Sequence, residues 1–302
     1  MKRIILLLAS LALAANSFAA DKLKVVTATE DLASLTREVG GDRVDVTAIA
    51  RGYQDPHFVE PKPSFLMLLK KADLLEVVGL ELEIGWLPPL LDQSRNNNIR
   101  PGGAGYLDLS QGVEILDRPT GTVNRSMGDV HPLGNPHYWL DPANAVRIAI
   151  QIERKLAELR PADAAYFAGR LNTFKVRIND ANKKWAAELA PYRGAKIVTY
   201  HNSWPNFIRR YGLNVVGYVE PKPGVPPSPS HSFELVNLMK AQGVKVICME
   251  PYFDQKDPQF IAAKTGAKVV VLYPSVGGAK SGTDDYFQLF DTNIANLIKA
   301  LK

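Results

Sequence analysis

Five histidines are the side chains of this 302-residue chain best suited to chemistry: His57, His131, His137, His201 and His231. A neutral imidazole can move protons or bind a metal. His57 lies in Gln54-Asp55-Pro56-His57-Phe58-Val59-Glu60-Pro61. His137 lies in Gly134-Asn135-Pro136-His137-Tyr138-Trp139-Leu140-Asp141-Pro142, and His201 in Thr199-Tyr200-His201-Asn202. A carboxylate candidate, Asp284, sits in Gly282-Thr283-Asp284-Asp285-Tyr286. Brought together, three imidazoles and Asp284 would form a four-coordinate site suited to zinc. Each residue also has a plainer use. A loop histidine can bond local backbone, and Asp284 or Asp285 can cap the helix that starts near Tyr286. Spacing alone leaves both readings open.

The elements that must position these residues alternate between strand and helix, which marks an α/β architecture. Four short apolar runs come early, at 24–27, 44–49, 74–78 and 106–109. Four more come late, at 196–200, 215–219, 244–249 and 269–273. Between the groups, Asp141-Pro142 reads as a helix cap followed by a first-turn proline. Val146, Ile150, Ile152, Leu156 and Leu159 then recur at helical spacing, and Pro161 restarts a pattern that runs to Leu189. A helix over 161–189 would be about 43 Å long, enough to run along two lobes. The expected fold is α/β: two small parallel-sheet lobes covered by helices and bridged by one long helix. The expected divisions are a leader at 1–19, an N-terminal lobe at 20–140, linking helices at 141–190 and a C-terminal lobe at 191–302. Ligands of open α/β sheets gather at the carboxyl ends of strands. His57 follows the second run, His201 the fifth and Asp284 the last, and His137 directly precedes the linking helices. The proline-dense stretch 220–229 reads as a stiff exposed loop.

Composition narrows the function. Lys2 and Arg3, the uncharged run 4–15 and Ser17-Phe18-Ala19 read as a secretory leader cut after Ala19. No cysteine stands directly after that cut, so no lipid-anchored cysteine is expected there. Losing the leader leaves 34 basic against 31 acidic residues. With no basic block interleaved with aromatics, nucleic acid is not an expected partner. The single cysteine, Cys248, sits in an apolar run and reads as a buried strand residue.

Several motifs together resemble a known family. They are Asp55-Pro56-His57 with Glu60-Pro61, Gly79 to Trp86, Gly134 to Pro142, Tyr200-His201-Asn202-Ser203-Trp204 and Pro229-Ser230-His231. In this order, across essentially the whole mature chain, they resemble the zinc- and manganese-specific solute-binding proteins of ABC importers. The resemblance implies two α/β lobes bridged by a long helix, with the metal held between them. It places metal ligands on His57, His137, His201 and Asp284. It implies a monomeric periplasmic protein, not an enzyme, that captures a divalent metal and delivers it to an importer permease in the inner membrane. Three imidazoles favour Zn2+ as the transported ion, with Mn2+ or iron as the alternative, because nitrogen donors suit zinc and oxygen donors suit manganese. A zinc-dependent hydrolase is the rival class. Four protein ligands would leave it no position for water, and no HExxH motif is present.

The chain departs from the resemblance at one point. Many zinc members carry a long histidine-rich loop before the second ligand, whereas 117–136 here holds only His131. With four ligands already named, His131 and His231 are expected to be loop residues that bond local backbone. Glu60 either orients His57 or bonds its own loop, and Glu250 is expected to bond backbone across its loop. Tyr138, Trp139, Trp204 and Tyr286 either wall the site or pack the core.

Overall fold

Strands buried on both faces need nearly continuous apolar runs, and such runs pair in parallel under covering helices. All eight expected runs form strands in the computed structural model, which describes residues 21–121, 123–124, 127–128 and 130–302. The leader expected at 1–19 lies outside the described residues. The first sheet holds β1 (Leu23–Thr29), β2 (Val44–Ala50), β3 (Leu74–Val77) and β4 (Tyr106–Asp108). The second holds β5 (Lys196–Thr199), β6 (Asn214–Tyr218), β7 (Val246–Met249) and β8 (Lys268–Val271). Their orders, β2-β1-β3-β4 and β6-β5-β7-β8, are the same topology used twice, with every pairing parallel. Cys248 is a buried residue of β7, as its apolar neighbours imply.

Helices α1 (Glu30–Gly40), α2 (Pro63–Lys71) and α3 (Leu87–Ser94) accompany the first sheet. Helices α6 (Pro205–Tyr211), α7 (Pro229–Gln242), α8 (Lys256–Thr265) and α9 (Tyr286–Leu301) accompany the second. Between them run α4 (Pro142–Leu159) and α5 (Ala164–Leu189). Asp141 caps α4 by accepting from the Ala143 N–H at 2.8 Å. The same carboxylate takes a bidentate bond from Arg210 of α6, at 2.7 and 2.8 Å, which ties the linking helices to the second lobe. The long helix begins one turn later than its sequence pattern, because Pro161–Asp163 form a 3-10 turn first. Its 26 residues span about 39 Å.

One face of α5 is apolar at helical spacing: Phe167, Leu171, Phe174, Ile178, Trp185 and Leu189 are all buried. These side chains join Leu23, Val25 and Leu74 of the first sheet to Ile197, Val246 and Cys248 of the second in one continuous core. Two smaller clusters fill the outer faces of the sheets. The lobes therefore share their main core. Further bonds stitch them along the seam. Asp31 accepts from the Val276 N–H at 3.0 Å, Ser34 Oγ accepts from the Tyr286 N–H at 3.1 Å, and Trp139 Nε1 donates to the Pro274 carbonyl at 2.8 Å. The proline-dense loop is irregular apart from a Lys222–Val225 bridge, and Pro229 opens α7.

Glu76 is the one acidic residue inside β3, fully buried and accepting from Thr36 Oγ1 at 2.5 Å. Burial pushes its carboxyl up to about 8, against a smaller lowering by the Thr36 bond. The folded protein thus keeps this proton over a pH range in which the unfolded chain, near 4.5, has lost it. The stability is fully present below about pH 4.5 and is lost as pH rises towards 8, by up to about 1.4 kcal/mol per pH unit. Glu76→Gln should remove that decline. Urea unfolding of metal-free protein at pH 5.5 and 7.5 should differ by about 1–3 kcal/mol less in the variant than in wild type. An equally steep loss in the variant would place the proton elsewhere.

Candidate metal centre

His57 sits in the turn after β2, and two consecutive donors of this residue fix it. Asp55 Oδ1 accepts from the His57 backbone N–H at 3.0 Å and from ring Nδ1 at 2.7 Å. His137, just before α4, is held by the same device. Asn135 Oδ1 accepts from its backbone N–H and from its Nδ1, both at 3.0 Å. In each case an Asp or Asn stands two residues before the histidine with proline between, in Asp55-Pro56-His57 and Asn135-Pro136-His137. His201 follows β5, and its Nδ1 donates to Glu220 Oε1. Glu220 is fixed in turn, because its other oxygen accepts from the Gly224 N–H at 3.2 Å in the proline loop.

Each Nδ1 therefore faces an oxygen acceptor and carries the proton, which leaves Nε2 with its lone pair exposed to the others. The three rings form a nearly regular triangle, with centroids 5.3, 5.6 and 5.4 Å apart. One nitrogen of each lies within 4.8 Å of the others. His137 Nε2 is buried with no hydrogen-bond partner among the described residues, although buried polar atoms are normally paired. A cation at the centre of the triangle would supply one.

A fourth ring joins at the side of His57. His131 Nδ1 donates to the Leu80 carbonyl at 3.1 Å, and its Nε2 lies 3.1 Å from His57 Nε2. Two lone pairs at that distance repel unless a proton or cation lies between them. Neighbouring nitrogens of a zinc tetrahedron, with Zn–N of about 2.0–2.1 Å, sit about 3.3 Å apart. The structure does not bring Asp284 to this group. Its exposed carboxylate accepts from the Gly282 N–H at 3.3 Å. The reason is local. Asp285 caps α9 by accepting from Phe287 and Gln288 N–H at 2.8 and 2.9 Å, which turns its predecessor outward. His231 bonds the Tyr218 carbonyl at 3.0 Å, a backbone contact of the expected kind.

The partners that orient the rings were largely missed in the sequence. Glu60 is exposed, and Asp55 orients His57 instead. The readable signal was the repeated Asx-Pro-His spacing. Glu220, far from His201 in sequence and beside a proline run, gave none. Glu250 accepts from Ser203 Oγ at 2.6 Å and Trp204 Nε1 at 2.9 Å, so it bonds side chains rather than backbone. Of the four aromatics only Trp139 borders a ligand ring, 5.4 Å from His137. Tyr138 donates to the Val78 carbonyl and Tyr286 to the Trp139 carbonyl, both deep in the core.

The electrostatics suit a dication. Burial, then the neighbouring His57 and His201, hold His137 well below the ordinary imidazole range, so it stays neutral. Burial and then His57 push His131 down to about 4. Burial alone would lower His201, but its bond to Glu220 and the charges of Glu220 and Glu250 outweigh it, and the net direction is upward. Burial pushes Glu250 up to about 7, opposed by His201. Asp55 and Glu220 thus give the cluster negative neighbours. A cavity of about 630 Å³ reaches it beside His57 and His131, and one of about 320 Å³ beside His131, His137 and His201.

Comparisons with known proteins point the same way. The family described as "Zinc-uptake complex component A periplasmic" matches residues 25–300. The "High-affinity zinc uptake system protein ZnuA" of Bacillus subtilis is 24% identical over 281 residues, covering 92% of this chain and 86% of that protein. The "Manganese ABC transporter substrate-binding lipoprotein PsaA" of Streptococcus pneumoniae is 25% identical, covering 93% of this chain and 89% of that one. A crystal structure of ZnuA superposes with a TM-score of 0.78 at 26% identity, covering 93% of this chain and all of that chain. The duplicated parallel sheets, the long helix and the clustered imidazoles are thus those of a metal-capturing solute-binding protein of an ABC importer rather than an enzyme, and the chain belongs to the periplasmic zinc-uptake component A family.

Proposed function

We propose that the cargo is one zinc ion, held by Nε2 of His57, His137, His201 and His131, with His131 in the place expected for Asp284. The reading rests on one observation. Four imidazoles each give their Nδ1 proton to an oxygen; the ligand nitrogens of His57, His137 and His201 lie within 4.8 Å of one another, and His131 Nε2 lies 3.1 Å from His57 Nε2. Nitrogen donors throughout favour zinc over manganese. The carboxylates stay one bond further out, where they raise ligand basicity and balance charge without coordinating. The protein works as a monomer in the periplasm after loss of its leader, and passes zinc to the permease of its importer. Emission spectrometry on protein purified from periplasm tests the metal identity, with zinc at one equivalent expected. A different dominant metal would overturn it.

Calorimetric titration of metal-stripped protein should give a single tight zinc site. His57→Ala, His137→Ala or His201→Ala should weaken it by at least about a hundredfold, beyond what loss of an orienting partner does. His131→Ala should weaken it by about tenfold or more, and Asp284→Ala should leave it unchanged. The reverse ranking of the last two variants would restore the aspartate as ligand.

Glu220→Gln keeps the shape of the His201 partner but loses its charge and makes one of its two terminal atoms a donor. Zinc affinity should fall about 10–100-fold while the metal-free melting temperature changes little. An unchanged affinity would mean that His201 is aimed by other contacts.

Zinc binds only the deprotonated Nε2, so protons compete with it. The ordinary imidazole pKa is about 6.5, and a bound metal drives protonation lower. Zinc occupancy after dialysis should hold from pH 8 to 6.5 and be lost by about pH 4–5. Full occupancy at pH 4 would argue against an imidazole site.

A further inference from the structure

Between β3 and α3 the chain turns with an unusual hand. Gly79, Leu80 and Glu81 have successive positive φ values of 76°, 55° and 67°. Gly79 can be nothing else, since a Cβ there would lie 2.3 Å from the Asp108 carboxylate. Leu80 and Glu81 have no such freedom, and side chains seldom accept this conformation unless the surroundings impose it. Glu83 grips the residues where the turn begins. Its buried carboxylate accepts from the Val78 N–H at 2.7 Å and the Gly79 N–H at 3.2 Å, clamping the start of the turn from its far side. The turn so held aims the Leu80 carbonyl at His131 Nδ1, 3.1 Å away. Further along the same segment, Trp86 Nε1 donates at 2.9 Å to the carbonyl of Pro56, the residue before His57.

We propose that Glu83 is a positioning residue for metal capture, acting through the Leu80 carbonyl to hold His131 with its proton on Nδ1 and its Nε2 turned toward His57. The proposal rests on the reading of His131 as a zinc ligand. The side-chain carboxylates of Asp55 and Glu220 can attract and follow an imidazole N–H by their charge. A backbone carbonyl has no charge and no rotamers, so its direction is set entirely by the backbone that carries it. His131 therefore has a defined orientation only as long as the left-handed turn is fixed. Of the four rings, it is the one whose aim depends on a remote carboxylate through a peptide unit.

The test is a double-mutant cycle on full-length mature protein, read as zinc affinity by competition with a chromophoric chelator. Glu83→Gln preserves shape but sets an amide donor against one of the two N–H groups. It should weaken zinc binding about tenfold in the wild-type background, as loss of a ligand's orienting partner does. In a His131→Ala background the same change should cost less than about twofold, because the residues act through one another. Circular dichroism and melting of the metal-free proteins establish that each variant is folded. Leu80→Gly, which accepts the left-handed turn without constraint, serves as the second variant: added to Glu83→Gln it should recover part of the lost zinc affinity where His131 is present. Equal losses in both backgrounds would overturn the proposal and make Glu83 a support for the His57 loop or the fold, with the zinc reading intact. Wild-type affinity in Glu83→Gln would overturn it outright. Wild-type affinity in His131→Ala would remove His131 from the ligand set and take the proposal with it, while the other three histidines could still define a zinc site.

Discussion

The hydrogen bond from imidazole Nδ1 to a fixed oxygen is the interaction on which this site depends. An imidazole offers two nitrogens, and a cluster binds metal only if every ring turns an unprotonated one inward. Asp55, Asn135 and Glu220 settle that choice for His57, His137 and His201 before any ion arrives. The arrangement has a cost in the metal-free protein, because lone pairs face each other in a buried space and His137 Nε2 has no partner. Surrounding structure must hold the rings against that repulsion, and an ion that relieved it would be bound with little further ordering of the protein.

Fold and site are connected through strand ends. Each sheet delivers one histidine at its carboxyl edge: the first gives His57 after β2 and the second His201 after β5. His137 comes from neither sheet but from the entry to α4, where the Asp141 cap and the Arg210 fork fix the chain against the second lobe. The nearly regular triangle of rings therefore records three independent structural elements meeting at one point. None of them could bind a metal alone.

Most of the scaffold was legible in the sequence. All eight strands and the long helix announce themselves because parallel strands are apolar on both faces and α5 keeps one apolar stripe. Spacing alone left the histidines open; the family resemblance named His57, His137 and His201, and these three the structure brings within 4.8 Å of one another. It does not bring Asp284 to them. Asp284 and His131 both sit in loops, where periodicity carries no information. What separates them is which aspartate caps α9 and which carbonyl meets His131. Those outcomes depend on backbone dihedrals, including a left-handed turn at Leu80 and Glu81 that residue types do not favour. Glu220 escaped notice for a related reason, since its link to His201 exists only once β6 lies beside β5.

The single core that α5 threads through both sheets bears on how such a protein can move and come apart. Lobes joined by extended strands can swing on a few backbone torsions. Here a swing would bend a 26-residue helix or pull Trp185 away from Phe290, on which it stacks at 4.8 Å. Interiors packed this way deform little. Large-amplitude closure is thereby opposed by the packing, and smaller movements fall to the loops that carry the rings. The same continuity makes thermal denaturation a joint event. With Leu23 and Ile294 in one apolar cluster, neither lobe can melt without opening the main core of the other, and each keeps only a smaller cluster on its outer face.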